Sequence, residues 1–137
     1  MAVRSAKKSE CCTNSKNLPE EMETAIRDQG GMERIKGLIP SKESLAVISK
    51  VFNALSDPIR LQIVHSLSIV DFCPCLLKDI TELSDSKLSY HLNILEEAGI
   101  IVSSPRKRWR IYMLTDLGRS LIEIERDLWP DAATPTR

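Results

Sequence analysis

Apolar residues recur along this chain at intervals of three and four, and the intervals break at a few marked points. Leu88, Leu92, Leu95 and Ala98 fall on one face of a helix within residues 83–99, whose other faces carry Lys87, Ser89, Tyr90, His91 and Asn93. Ser84, Asp85 or Ser86 offers the oxygen that a helix start needs for its free N–H groups, and Gly99 stands where a left-handed residue ends one. Upstream, Leu76, Leu77, Ile80 and Leu83 form a short helical pattern, separated from the next helix only by a Ser84-Asp85 turn. Downstream the period changes to that of strands. Ile100-Ile101-Val102 and Trp109–Leu114 flank Ser103-Ser104-Pro105-Arg106-Lys107-Arg108, a polar stretch dense in cations that reads as the turn of a hairpin.

Two further helices precede this block and one follows it. From Ser41, an N-cap residue with Glu43 in the first turn behind it, Leu45, Ile48, Phe52 and Leu55 keep helical spacing, and the face they form is expected to bury. Asp57-Pro58 restarts a helix that carries Ile59, Ile63 and Leu67 inward, with proline at the first helical position where its missing N–H costs nothing. After the hairpin, Thr115 or Asp116 caps a last helix with Leu117, Leu121, Ile124 and Leu128 at steps of four, three and four. The expected fold is mainly α with a small β-hairpin, a winged helix-turn-helix over residues 41–129. Residues 1–40 read as a flexible N-terminal arm, in which Glu20–Ile26 can start a short helix and Gly30-Gly31 and Gly37 interrupt a longer one; 130–137 read as a disordered tail. His65 reads as a structural imidazole, since no second histidine stands four positions away.

A chain of 137 residues suits one domain with a core of its own. In a domain this small the central helices already occupy that core. The stripe Leu117, Leu121, Ile124 and Leu128 is therefore expected to bury against a second subunit, together with Leu45, Ile48 and Phe52, making a homodimer; folding back onto its own domain is the alternative. The apolar runs are far short of a membrane span and the first residues lack an apolar signal core, so no membrane partner and a cytoplasmic location are expected.

The formal net charge is zero, so any binding to nucleic acid has to come from local clustering. That clustering exists between residues 84 and 112, where Lys87, Arg106, Lys107, Arg108 and Arg110 outweigh Asp85, Glu96 and Glu97. The polar face of the 83–99 helix can donate to bases and phosphates. Ser86, Lys87, Ser89, Tyr90, His91 and Asn93 are its candidates for the major groove, and Arg106, Lys107, Arg108 and Arg110 for the DNA backbone or minor groove. No glycine-rich phosphate loop, nucleophile triad spacing or paired zinc motif is present, so no enzyme is indicated.

Four cysteines come as two pairs, Cys11-Cys12 in the arm and Cys73-Pro74-Cys75 at the start of the first helix of the helix-turn-helix. A helix N-terminus favours the thiolate, which suits a soft metal or metalloid, and Pro74 is tolerated in a first turn. Buried apolar filling is the alternative role for Cys73 and Cys75. The two pair thiols fall short of the three that trivalent arsenic takes or the four usual for cadmium or zinc, so Cys11 and Cys12 are counted with them.

Asp57-Pro58-Ile59-Arg60-Leu61, the run from Leu88 to Ile101 and Trp109-Arg110-Ile111-Tyr112-Met113-Leu114 together resemble the ArsR/SmtB family of dimeric winged-helix repressors over roughly residues 45 to 128. The resemblance implies a homodimer on a double-stranded, pseudo-palindromic operator, with no cofactor required for DNA binding. Cys73-Pro74-Cys75 is similar to the Cys-x-Cys that thiol-rich members use, with cysteines of an N-terminal arm, to bind arsenite, cadmium or lead; it departs from it in its proline and in its adjacent arm cysteines. The implied inducer is arsenite or a soft divalent metal ion. The family's other site, made of Asp, His and Glu on the last helix, has no counterpart, because no histidine follows His91. For His91 itself the resemblance implies a second role beside base contact, that of supporting the 83–99 helix. A thiol redox regulator on the same fold and a winged-helix protein-interaction module are the alternatives.

Overall fold

The computed structural model describes residues 18–129. The chain divides into two units, at Ser41 and Lys42. The described part of the first holds α1 (Glu20–Asp28) and α2 (Met32–Leu38), neither of which buries a residue. Glu20, Glu21 and Glu23 sit in the first turn of α1, where the helix dipole favours them. Gly30 and Gly31, at φ of 90° and 95°, take the two left-handed steps that end α1 and admit α2. Gly37, expected to interrupt a helix, is instead inside the last turn of α2, where its cost of about 1 kcal/mol falls on a helix that ends one residue later.

The second unit begins with α3 (Lys42–Leu55), α4 (Pro58–Ile69), α5 (Pro74–Thr81) and α6 (Asp85–Glu97). A hairpin of β1 (Ile101–Arg106) and β2 (Trp109–Leu114) follows, then α7 (Asp116–Glu125) and a single 3-10 turn, Arg126–Leu128. α4 lies at the centre, packed against α3, α5, α6, α7 and β2. Ile63, Val64, Leu67, Leu77, Leu95 and Ile100 are the fully buried heart of the core. No helix among the described residues is long and apolar enough to cross a membrane.

Local chemistry sets the element boundaries. Asp57 caps α4, its carboxylate accepting from the N–H of Ile59 at 2.8 Å and of Arg60 at 3.2 Å, with Pro58 next in the chain. Ser84 caps α6 and Thr115 caps α7, each through its hydroxyl. Between α5 and α6 the chain turns through Glu82, at a left-handed φ of 56°, and an ion pair of Lys78 with Asp85 at 3.0 Å spans the turn. Gly118 lets α7 pass over the end of β1's approach: a Cβ there would run into the carbonyl oxygen of Ile100. The Thr115 hydroxyl closes the same corner, donating toward the carbonyls of Gly99 at 2.6 Å and Ile100 at 3.0 Å.

One expectation changes. The hairpin turn is only Lys107-Arg108, with Lys107 at φ 57°, because β1 continues through Ser103–Arg106 in register with Ile101 opposite Leu114 and Arg106 opposite Trp109. Pro105 is tolerated because β1 is an edge strand. The α3 stripe divides between the surface of the single chain and its core. Leu45, Ile48 and Phe52 are exposed, while Val51, Ala54 and Leu55, at the C-terminal end, are the α3 residues that pack on the core.

Candidate nucleic-acid interface and thiol pair

α6 presents two unlike sides. Leu88, Leu92 and Leu95 are buried, and Ser86, Lys87, Ser89, Tyr90 and Asn93 are exposed. Ser84 holds the start of that face, accepting weakly from the Lys87 N–H, with its Oγ 3.4 Å from that of Ser86. Such a face, on the second helix of a helix-turn-helix, carries donors and acceptors that match base edges. Tyr90 is 61% exposed, and its ring meets that of His91 edge-on with centroids 5.2 Å apart.

His91 itself corrects the expected set. It is turned into the domain, where its Nδ1 lies 3.2 Å from Nη1 of Arg60, so its side chain does not belong to the exposed face. The spacing carried this signal: His91 completes the series 88, 91, 92, 95, and Arg60 stands likewise at 60, 63, 64, 67 on the buried side of α4. Arg60 had no assigned role from sequence.

Arg106, Lys107, Arg108 and Arg110 are all exposed on the hairpin, with Arg110 steadied by donation from Nε to Ser103 Oγ at 2.9 Å. Near the base of the hairpin Tyr112 is buried. Burial, and next to it the Glu96 carboxylate, push its phenol above the ordinary value.

Cys73 is the N-cap residue of α5, half-buried, and Cys75 is exposed in its first turn; both are free thiols. Pro74 occupies the first helical position. Among the described residues no group of three or more His, Cys, Asp or Glu side chains is placed to hold a metal ion, so the pair has no third ligand there. Cys11 and Cys12 lie outside the described residues, as do the rest of the arm through residue 17 and the tail from 130.

Of the expected subunit-contact residues, Leu45, Ile48, Phe52, Leu117, Ile124 and Leu128 are exposed, whereas Leu121 is half-buried on its own core beside buried Ile122. His65 stands half-buried on α4. It pairs with Glu125 at 3.0 Å and takes the ring of Trp129 edge-on at 5.7 Å, which ties the end of α7 to α4.

A helix-turn-helix followed directly by a cationic hairpin defines a winged-helix DNA-binding protein. Residues 57–103 match the model of a family described as bacterial regulatory protein, arsR family. The arsenical resistance operon repressor of Bacillus subtilis is 40% identical over 75 residues, which cover 54% of this chain and 71% of that one. The cadmium resistance transcriptional regulatory protein CadC homolog of Staphylococcus aureus is 34% identical over 77 residues, covering 56% and 64%. A homodimeric winged helix-turn-helix DNA-binding domain from Mycobacterium bovis, solved by solution NMR, shares the fold with a TM-score of 0.57 at 19% identity, over 73% of this chain and 99% of that one. The chain belongs to the ArsR family and is a DNA-binding transcriptional regulator, not an enzyme.

Proposed function

We propose that this protein is a homodimeric repressor that holds a pseudo-palindromic operator and releases it when a thiophilic metal or metalloid binds Cys73 and Cys75. One observation carries the reading: two free thiols stand at the start of the first helix of the helix-turn-helix, one residue away from a backbone bridge to the wing. Relatives named for arsenical and cadmium resistance support the chemical class of the inducer.

Two thiolates do not complete a soft-metal site, so Cys11 or Cys12, from the same subunit or its partner, supplies the remaining sulfur. Binding that favours a conformation with mis-spaced reading helices lowers DNA affinity, and DNA lowers inducer affinity by the same coupling free energy. In the dimer the exposed stripes of α3 and α7 form the seam, which sets the two α6 helices about 34 Å apart, one turn of DNA.

The reading is tested by titrating the reduced full chain on promoter DNA with arsenite, cadmium, zinc and peroxide in turn. Release by arsenite or cadmium, lost in Cys73→Ser and Cys75→Ser, supports it. Release that needs peroxide and is reversed by dithiothreitol assigns the pair to redox sensing instead.

A further inference from the structure

Among the described residues the buried polar side chains are Arg60 and His91, at 7% and 8% exposure, and they meet. Arg60 reaches back from the first turn of α4 to the end of α3. Its Nε donates to the Ala54 carbonyl at 2.6 Å and its Nη2 to that of Asn53 at 3.2 Å, both in the last turn of α3, where the helix dipole favours a cation. Its Nη1 faces His91 Nδ1 at 3.2 Å. A guanidinium has no lone pair to offer, so this contact is a hydrogen bond only when the imidazole accepts at Nδ1 and carries its proton on Nε2.

One side chain thus joins the end of α3, the start of α4 and the middle of α6. Leu88, Leu92 and Leu95 hold α6 by burial, which is favourable in many orientations, while a charge-assisted hydrogen bond is directional; the Lys78–Asp85 ion pair and the Glu96 carboxylate near Tyr112 act at the two ends of the helix, and Arg60 at its middle. On the other side of the joint, α3 grips the core only through Val51, Ala54 and Leu55, the turn whose carbonyls Arg60 takes. Tyr90 rests on the edge of the His91 ring, so the joint also steadies an exposed aromatic of the reading face.

We propose that Arg60 and His91 are positioning residues that lock the tilt of α6 to α3, so that the dimer seam on α3 dictates which operator spacing the protein accepts. The inference rests on the reading of α6 as base reader and of α3 as part of the seam.

The test uses the full chain and a palindromic duplex recovered by the wild type from a random-sequence library, with versions one base pair longer and shorter at the centre and a random duplex for comparison. The wild type should lose about tenfold or more for either change of spacing. Folded His91→Leu should bind the three spacings within about threefold of one another and keep wild-type affinity for random DNA. His91→Asn, whose side-chain oxygen replaces the Nδ1 acceptor, should recover the preference. If His91→Leu does not fold, Arg60→Lys takes its place, since an ammonium cannot hold the Ala54 and Asn53 carbonyls and His91 Nδ1 at once; it should bind the three spacings within about threefold of one another. A folded His91→Leu or Arg60→Lys with the wild-type spacing preference overturns the joint. A wild type that recovers no duplex overturns the reading of α6 itself.

Discussion

Phe72 and Tyr112 form an isolated antiparallel bridge, with Phe72 N–H donating to the Tyr112 carbonyl at 3.1 Å and Tyr112 N–H to that of Phe72 at 2.8 Å. Strand β2 is therefore paired on both sides at Tyr112, with Ser103 on the other. Phe72 is the covalent neighbour of Cys73, and Tyr112 lies close enough to Glu96, near the end of α6, for that carboxylate to push its phenol up after burial has done so. A displacement at Cys73 thus has a short path to the wing and to the end of α6.

Arsenite or cadmium should accordingly speed exchange of the Tyr112 amide hydrogen while lowering operator affinity about 5- to 150-fold, the usual range of such coupling. Cys73→Ser should lose both responses and keep DNA binding. Release with Tyr112 protection unchanged would take the wing out of the path.

The two sets of residues proposed to face DNA should fail differently. Ser89→Ala or Tyr90→Ala should cost about 1–3 kcal/mol on the operator and little on random DNA. Lys107→Ala or Arg108→Ala should weaken both and reduce the salt slope by about one per charge, as read from binding titrations over a range of salt. Equal losses on both DNAs for Tyr90→Ala would count against base reading by that ring.

The proposed seam is best probed at side chains that are exposed on the single chain. Ile124 is 66% and Phe52 61% exposed, whereas Leu121 also packs on the core, so a charge at Leu121 would confuse folding with assembly. Ile124→Glu or Phe52→Glu should give a helical monomer by sedimentation and circular dichroism, with operator binding lost. A wild-type monomer at micromolar concentration would remove the basis of the dimer.

Asp57 links stability to pH. Burial pushes its carboxyl up, but the N–H groups of Arg60 and Ile59 together with the Arg60 charge outweigh it and hold the group below its ordinary value. A depressed carboxyl stabilises the fold above its unfolded pKa and ceases to do so as pH falls through the folded one. Asp57→Ala should cost about 1 kcal/mol at pH near 7 in urea unfolding, as loss of an N-cap does, and the difference from wild type should shrink below about pH 4.

Much of this was legible one residue at a time. Asp57, Ser84 and Thr115 start helices, and Gly99, at φ 75°, ends one, because a cap needs only the backbone within three or four positions of itself. The same range suffices to show that 88, 91, 92 and 95 share a face, so the inward turn of His91 was already written in the spacing of α6. Tertiary structure decided what no local pattern contains. It brought Arg60 to His91 across 31 positions, since a cation and an imidazole can be buried only where the fold supplies partners for both. It also carried β1 through Ser103–Arg106, because strand length is settled by the partner's backbone rather than by side-chain polarity. For the same reason it set Phe72, and with it Cys73, against the wing: the free N–H and carbonyl of an edge strand take whatever backbone the packing of α4 and α5 delivers to them.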